Sequence, residues 1–506
     1  MKASTLLSLF LLSALCLSCV SINRYKPNTA TIASPKGTNI YQADSASIAQ
    51  HYKIPDWFRN AKFGIFVHWG LASIPAYDGW YGRFMYDKKS KTHEFHEKKY
   101  GPVDKFGYKD FIPMFKPDKF DPAAWAKLFK EAGAQYVIPV AEHHDGFALY
   151  HSTFNPWNSV DMGPKRDFMK ELRGAILAEK MHFGLSSHRA ENCWFFNTGM
   201  NIPSDVQDTT ITMYGERIAE DDGGFSPKYN KHMGSNEHSR QNWLTHMHEL
   251  IDQYQPELLY FDWTVGKYPF QPVFYKFLAY YYNNSIDWKK EVVVNTKFGY
   301  GDNIQVLDIE RGKSNTIRKY PWQTDTSIGK EFWFFMEHEN DLKNPNQLVD
   351  DLVDIVSKNG NLLLNVGPRA DGSIPEKQQI VLREIGNWLQ VNGEAIYNTR
   401  PWIKYGEGPH DAPSGYMSDN QETPFTEKDI RFTTKGDVLY AIAMDWPKEK
   451  FVITSLAKNN QNKKEIRSVS LLGCDEKLEW KQTNNGLEVN LPSNKPSNYA
   501  HVLKID

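Results

Sequence analysis

Cysteine is scarce in this chain: 506 residues hold 4 of them. Two, Cys16 and Cys19, fall within the first twenty residues, which leaves Cys193 and Cys474 far apart. That is too few for a disulfide scaffold, and no CxxC or Cys/His spacing suggests a zinc site. A charge excess is missing too. Lys+Arg 59 against Asp+Glu 61 gives a net charge of -2, so a polyanion held by bulk charge is excluded and no nucleic-acid partner is expected. The apolar run from Leu6 to Leu17 is too short to span a bilayer as a stable anchor. No GxGxxG follows the first β-like run, where Gly64 and Gly70 stand alone, so a dinucleotide-binding open sheet is set aside. No HExxH occurs either; no metal and no cofactor are expected.

Aromatic residues, by contrast, are abundant, at 14% with 15 Trp and 26 Tyr. Composition alone favours packing over sugar stacking as their use. Eight β-like runs can be read between Ile54 and Trp402: Phe63 to Val67, Tyr136 to Ala141, Phe183 to Ser187, Leu258 to Phe261, Val292 to Val294, Val306 to Ile309, Phe332 to Met336, and Leu362 to Val366. Several are continuously apolar, as parallel strands buried on both faces should be. Helical stretches lie between them. Asp121-Pro122 opens one as N-cap and first-turn proline and Gly133 stops it, while Leu348, Leu352, Ile355 and Val356 stripe another. Strand and helix alternating about eight times predict a (β/α)8 barrel over residues 51–402. Beyond it, short alternating runs such as Ile430 to Thr434 and Val438 to Ala443 predict a C-terminal antiparallel β-sandwich over 403–506.

The N-terminus reads as a targeting segment. Lys2, the apolar run and then Ser18-Cys19 resemble a bacterial lipoprotein signal, with Cys19 as the lipidated residue. On this reading 1–18 is a signal peptide and 19–50, rich in Ser, Thr, Asn and Pro, a tether. An exported protein, held in the periplasm or at the outer membrane only through its lipid, is the expectation.

What ends the strands points to function. Val67 leads into His68, Ala141 into Glu142-His143-His144-Asp145, and Ser187 into His188-Arg189. Phe261 leads into Asp262, Val294 into Asn295-Thr296-Lys297, and Ile309 into Glu310-Arg311. In a barrel such residues line one mouth, where active sites are built. One polar residue after a strand is a loop residue, but six in succession make a site. Neutral imidazoles donate and accept, which matches vicinal sugar hydroxyls. Asp262 and Glu310 suit glycosidic cleavage, one at the anomeric carbon and one protonating the leaving oxygen. Taken singly, Asp262 also reads as a helix N-cap and Glu310 as the partner of Arg311.

The order of motifs carries a resemblance. Ala61-Lys62-Phe63-Gly64-Ile65-Phe66-Val67-His68-Trp69-Gly70, His143-His144-Asp145-Gly146-Phe147, Trp157-Asn158-Ser159-Val160, Tyr260-Phe261-Asp262 and Val356 to Pro368 resemble the α-L-fucosidases of glycoside hydrolase family 29. The resemblance implies retaining hydrolysis of terminal α-L-fucosides on fucosylated glycans, with Asp262 as nucleophile and Glu310 as acid and then base. It implies that His68, His143 and His144 hold sugar hydroxyls. His188 stands where many members have Tyr, and Tyr260 where many have Trp. Lys297 stands where the family often has Arg, keeping the charge but losing the planar fork. Asp302, Asp308, Glu142 and Glu191 are rival carboxylates for the acid's role. A galactoside-cleaving relative and a non-catalytic fucose-binding lipoprotein are the alternative functions.

Overall fold

The structure, a computed structural model, describes residues 37, 39–218, 235–266, 270–297, 299–419, 423–448, 450–458 and 465–506. The expected signal peptide and Cys19 lie outside these. Eight parallel strands close a barrel: β1 Phe63–Val67, β2 Tyr136–Glu142, β3 His182–Ser187, β4 Leu258–Phe261, β5 Val293–Thr296, β6 Val306–Asp308, β7 Trp322–Ser327 and β8 Gly360–Val366. Ile65 on β1 stands opposite both Val137 on β2 and Leu364 on β8, which seals the ring.

Side chains alternate across each strand. One set, including Phe66, Tyr136, Ile138, Leu258, Tyr260, Val293, Val306 and Leu363, forms the interior core. The other, including Ile65, Val67, Val137, Leu259, Phe261, Leu362 and Leu364, packs in the larger core shared with the surrounding helices. Both sets being apolar is why these strands read as continuous runs. Gly64 faces the interior, where an added Cβ would sit 2.4 Å from the Tyr136 ring. That glycine makes the room Tyr136 occupies.

The helices obey local signals. Asp121 caps Pro122–Glu131 by accepting from the Ala123 and Ala124 amides, and Gly133 at φ +93° ends the turn beyond it. In Pro345–Ser357 the stripe from Leu348 to Val356 is buried, and Asn344 supplies the cap. Residues 39–50, at the C-terminal end of the stretch expected to tether the chain, pack on the barrel. The Asn283 carboxamide oxygen accepts from the Ile40 and Tyr41 amides, and Ile48 is fully buried.

One expected strand is corrected. Phe332 to Met336 is not β7; the seventh strand is Trp322–Ser327. Its sequence, Trp-Gln-Thr-Asp-Thr-Ser, lacks an apolar face because both faces meet polar partners. Gln323 and Asp325 hydrogen-bond inside the barrel, while Thr324 and Thr326 bond to the Gly312 carbonyl and Asp419. The apolar run at 332–336 is instead a loop whose Phe334 and Met336 are buried with Ala72.

After the barrel, β9 Arg400–Glu407, β10 Ile430–Lys435, β11 Val438–Ala443, β13 Val469–Leu471 and β16 His501–Ile505 form an antiparallel sheet. β12 Phe451–Ile453, β14 Glu479–Gln482 and β15 Leu487–Asn490 form a second. Phe432, Leu439, Ile453, Leu487, Val489 and Leu503 from the two sheets share one core, the expected sandwich. A buried ion pair ties it to the barrel: Arg431 Nε meets Asp354 Oδ1 at 2.6 Å.

Candidate active site

The two-residue alternation carries the interior phase past the strand ends. Phe66 faces inward, so His68 does; Tyr260 delivers Asp262 in the same way. Val293 and Val306 set the phase for Lys297 and Glu310, and Leu363 sets it for Asn365. In β2 the pairing register shifts between Val140 and Glu142. Glu142 thereby meets Arg189 and has His246 at 3.9 Å. Simple alternation would send the adjacent His143 and His144 to different sides of the strand end, but they converge, with ring centroids 4.2 Å apart.

The four histidines form one wall. His143 lies 5.8 Å from His68 and 4.7 Å from His188 between ring centroids, and His144 lies 5.1 Å from His188. Asn365 Oδ1 holds His68 Nδ1 at 2.7 Å. Burial pushes the His68 imidazole down to about 3, assisted by any positive charge on His188. Burial likewise drives His143 well below its ordinary value, with His144 adding to it. Both rings are therefore neutral at physiological pH, one nitrogen donating and one accepting. His144 differs. Burial opposes its charge, but Glu191 at 3.6 Å and Asp262 at 3.5 Å raise it overall.

Asp262 faces His188 Nδ1 at 3.3 Å and His144 Nε2 at 3.5 Å. Burial alone would raise its carboxyl. His188, Lys297 and His144 outweigh that and hold it well below the usual carboxylate range. Glu310 moves the other way. Burial, then the negative charges of Asp325 and Asp262, push it up to about 7 against the pull of Lys297. Its Oε2 accepts from Trp263 Nε1 at 2.5 Å and lies 3.5 Å from Lys297 Nζ. One carboxyl is held anionic while its more buried neighbour binds a proton more tightly than usual, the division of labour that acid-assisted nucleophilic displacement needs.

Beneath them runs a polar ladder through the barrel. Lys297 Nζ, fully buried, contacts Asp308 at 2.9 Å and Asp325 at 2.8 Å. Tyr260 donates its hydroxyl to Asp325, and Gln323 links Asp308 to the Tyr136 hydroxyl, each at 2.8 Å. Burial opposes the Lys297 charge, but the surrounding carboxylates keep it charged.

Among the expected site residues, His68, His143, His144, His188, Tyr260, Asp262, Lys297 and Glu310 come together. The rival acids do not share the place of Glu310. Asp302 pairs with Arg318 at 2.9 Å, Asp308 is locked in the ladder, and Glu142 is taken by Arg189. Glu191 accepts from the Thr264 amide at 2.8 Å and sits behind His144. Reading the sequence missed Asp325, Asn365, Trp263, Trp333 and Phe334. Asn365 was visible as the polar residue inside an apolar strand. Trp333 and Phe334 lie 5.2 and 5.6 Å from His68, in the run mistaken for a strand. Among the described residues, His68, His143 and His188, and separately His144, His188 and Asp262, bring possible metal-ligating atoms within 4.8 Å of one another. Both trios draw on His188.

Comparison with known proteins gives this geometry a context. A family model described as Alpha-L-fucosidase matches residues 29–394, and one described as Alpha-L-fucosidase C-terminal domain matches 422–506. The chain is 31% identical over 471 residues to tissue alpha-L-fucosidase of Bos taurus, covering 89% of this chain and 88% of that protein. It resembles the crystal structure of Thermotoga maritima alpha-fucosidase in complex with a mechanism-based inhibitor, with a TM-score of 0.73 and 30% identity, over 92% of this chain and 99% of that one. The same enzyme in complex with fucose gives a TM-score of 0.73 at 30% identity, over 92% of this chain and 100% of that one. With both modules matched in order and the barrel, strand ends and carboxyl pair in place, this chain belongs to the α-L-fucosidase family.

Proposed function

We propose that the protein hydrolyses terminal α-L-fucosides of glycans by double displacement, with Asp262 as nucleophile and Glu310 as acid and then base. The reading is carried by two carboxyls near one buried cation, Asp262 against His188 and His144 and Glu310 against Lys297 and Trp263, with their proton affinities shifted in opposite directions. In the first step an Asp262 oxygen bonds to the anomeric carbon as the glycosidic bond breaks and the Glu310 proton passes to the leaving oxygen. In the second, Glu310 takes a proton from water, which displaces Asp262 and restores the anomeric configuration. The neutral rings of His68 and His143 suit the sugar hydroxyls. Phe334, 4.9 Å from His143, and Trp333 beside His68 give the pocket an apolar wall that suits a methyl at C5 better than a hydroxymethyl.

Release of 4-nitrophenol from the α-L-fucoside, beside the β-D-galactoside, tests substrate and nucleophile together. Asp262→Gly is expected to lower fucoside turnover at least about a thousandfold, and added azide to yield a glycosyl azide of inverted configuration. Turnover of the galactoside alone would overturn the substrate, and an active variant would overturn the nucleophile. The export reading rests on Lys2, the run Leu6 to Leu17 and Ser18-Cys19. It places the mature chain outside the cytoplasm on a lipid carried by Cys19. Cys19→Ala is expected to release it from the membrane fraction and abolish palmitate labelling; unchanged labelling would reject the anchor.

A further inference from the structure

Glu310 stands two residues past the end of β6, and the residue after it is strained. Arg311 has φ +45°, the left-handed region that residues with side chains occupy only when their surroundings hold them there. Its amide donates to the Asp325 carbonyl on β7 at 2.8 Å, and the rest of what holds it comes from the chain after the barrel, between β9 and β10, in a stretch that neither family match covers. The Ser418 and Asp419 amides both donate to the Arg311 carbonyl, at 2.7 and 2.9 Å. The Met417 amide donates to the Glu310 carbonyl and the Gly415 amide to that of Lys313, each at 2.9 Å. The approach is close enough that a Cβ on Gly312 would lie 1.8 Å from the Gly415 oxygen.

Side chains lock the same contact. Asp419 Oδ2 meets Arg311 Nε at 3.1 Å, Lys343 Nζ at 2.5 Å and the Thr326 hydroxyl at 2.8 Å, all buried. Tyr416 donates its hydroxyl to the Lys297 carbonyl. Its ring lies 5.1 Å from that of Trp263, whose Nε1 donates to Glu310. The backbone on one side of the Glu310 carboxyl and the hydrogen-bond donor on the other thus rest on the same seven residues, Pro413–Asp419.

We propose that this strap is part of the catalytic apparatus, with Tyr416 and Asp419 as positioning residues that aim Glu310 at the leaving-group oxygen. The inference rests on the reading of Glu310 as acid and base. Neither residue touches the sugar; each acts through Glu310. In the bond-breaking step the leaving oxygen needs the Glu310 proton only when its anion is unstable. An alkoxide needs it, whereas 4-nitrophenolate departs without it. Misplacing Glu310 therefore penalises alkyl fucosides selectively, while general damage to the pocket penalises both alike.

The test compares kcat/KM for methyl and 4-nitrophenyl α-L-fucoside in full-length Tyr416→Ala, Tyr416→Phe, Asp419→Asn and Glu310→Ala. The ratio of aryl to methyl substrate is expected to rise at least about tenfold in Tyr416→Ala and Asp419→Asn, and further in Glu310→Ala. Tyr416→Phe removes only the bond to the Lys297 carbonyl and carries the test should Asp419→Asn fail to fold. An unchanged ratio in the folded strap variants, beside a raised one in Glu310→Ala, would overturn the strap's role. An unchanged ratio in Glu310→Ala would overturn the acid assignment itself.

Discussion

Glu310→Gln should make the protein more stable at neutral and alkaline pH while disabling it. The wild-type carboxyl has its ordinary value of 4.5 in the unfolded chain and about 7 in the folded one, chiefly because it is buried. Below pH 4.5 both states hold the proton and Glu310 contributes no pH dependence. Between 4.5 and 7 the unfolded chain releases a proton that the folded site retains, so stability falls as pH rises. Above 7 the loss is complete. At about 1.4 kcal/mol for each pH unit, that interval is worth about 3 kcal/mol. Glutamine cannot ionise, so the variant escapes the loss, and its amide can still accept from Trp263. Urea unfolding of both proteins at several pH values between 4 and 8 reads the effect as a difference of differences. Groups remote from Glu310 cancel, and the variant's relative stability should climb by about 3 kcal/mol across the interval. A flat difference curve would show that Glu310 titrates alike folded and unfolded, and would remove the basis for its being a proton donor near neutrality.

Two further perturbations probe the frame around the site. Lys297→Met leaves Asp308 and Asp325 buried without their cation. It is expected to cost about 3–5 kcal/mol in urea unfolding, and a cost below about 1 kcal/mol would show that the ladder does not depend on its charge. Gly64→Ala drives a methyl to within 2.4 Å of the Tyr136 ring, an overpacking expected to cost about 1–3 kcal/mol; a neutral result would mean that the barrel interior yields more readily than its packing implies.

Seven of the barrel strands were legible because their interior and exterior partners are both apolar, so the strands stand out as runs. β7 was not, because Gln323 and Asp325 serve the ladder while Thr324 and Thr326 bond outward. No hydrophobic pattern survives when both faces are committed to hydrogen bonds. The opposite error at Phe332 to Met336 has the same root: a loop that covers a barrel mouth is as apolar as a strand. Asp262, Glu310 and His68 could be found because strand ends expose them in order. The resemblance names His143 and His144 together, but strand alternation alone would separate them, and their convergence accompanies a register shift that no local propensity encodes. The hold of Tyr416 and Asp419 on residues about a hundred positions earlier left no local signal at all.

Lys297 has a consequence for the energetics of turnover. Under the proposed roles, Asp262 gives up its negative charge as it becomes an ester, and Glu310 acquires one in the same event. The cation lies 3.5 Å from Glu310 and its field reaches Asp262, so of these two carboxyls one is negative before the event and the other after, while its contacts with Asp308 and Asp325 stay as they are. Charge relocates around a stationary counter-ion instead of being created or destroyed. No solvent ion has to enter, and no buried dipole has to reorient to accommodate a change in the sum. The second displacement runs the exchange backwards and returns the pocket to its starting state, so each turnover is electrically a closed loop around one fixed lysine.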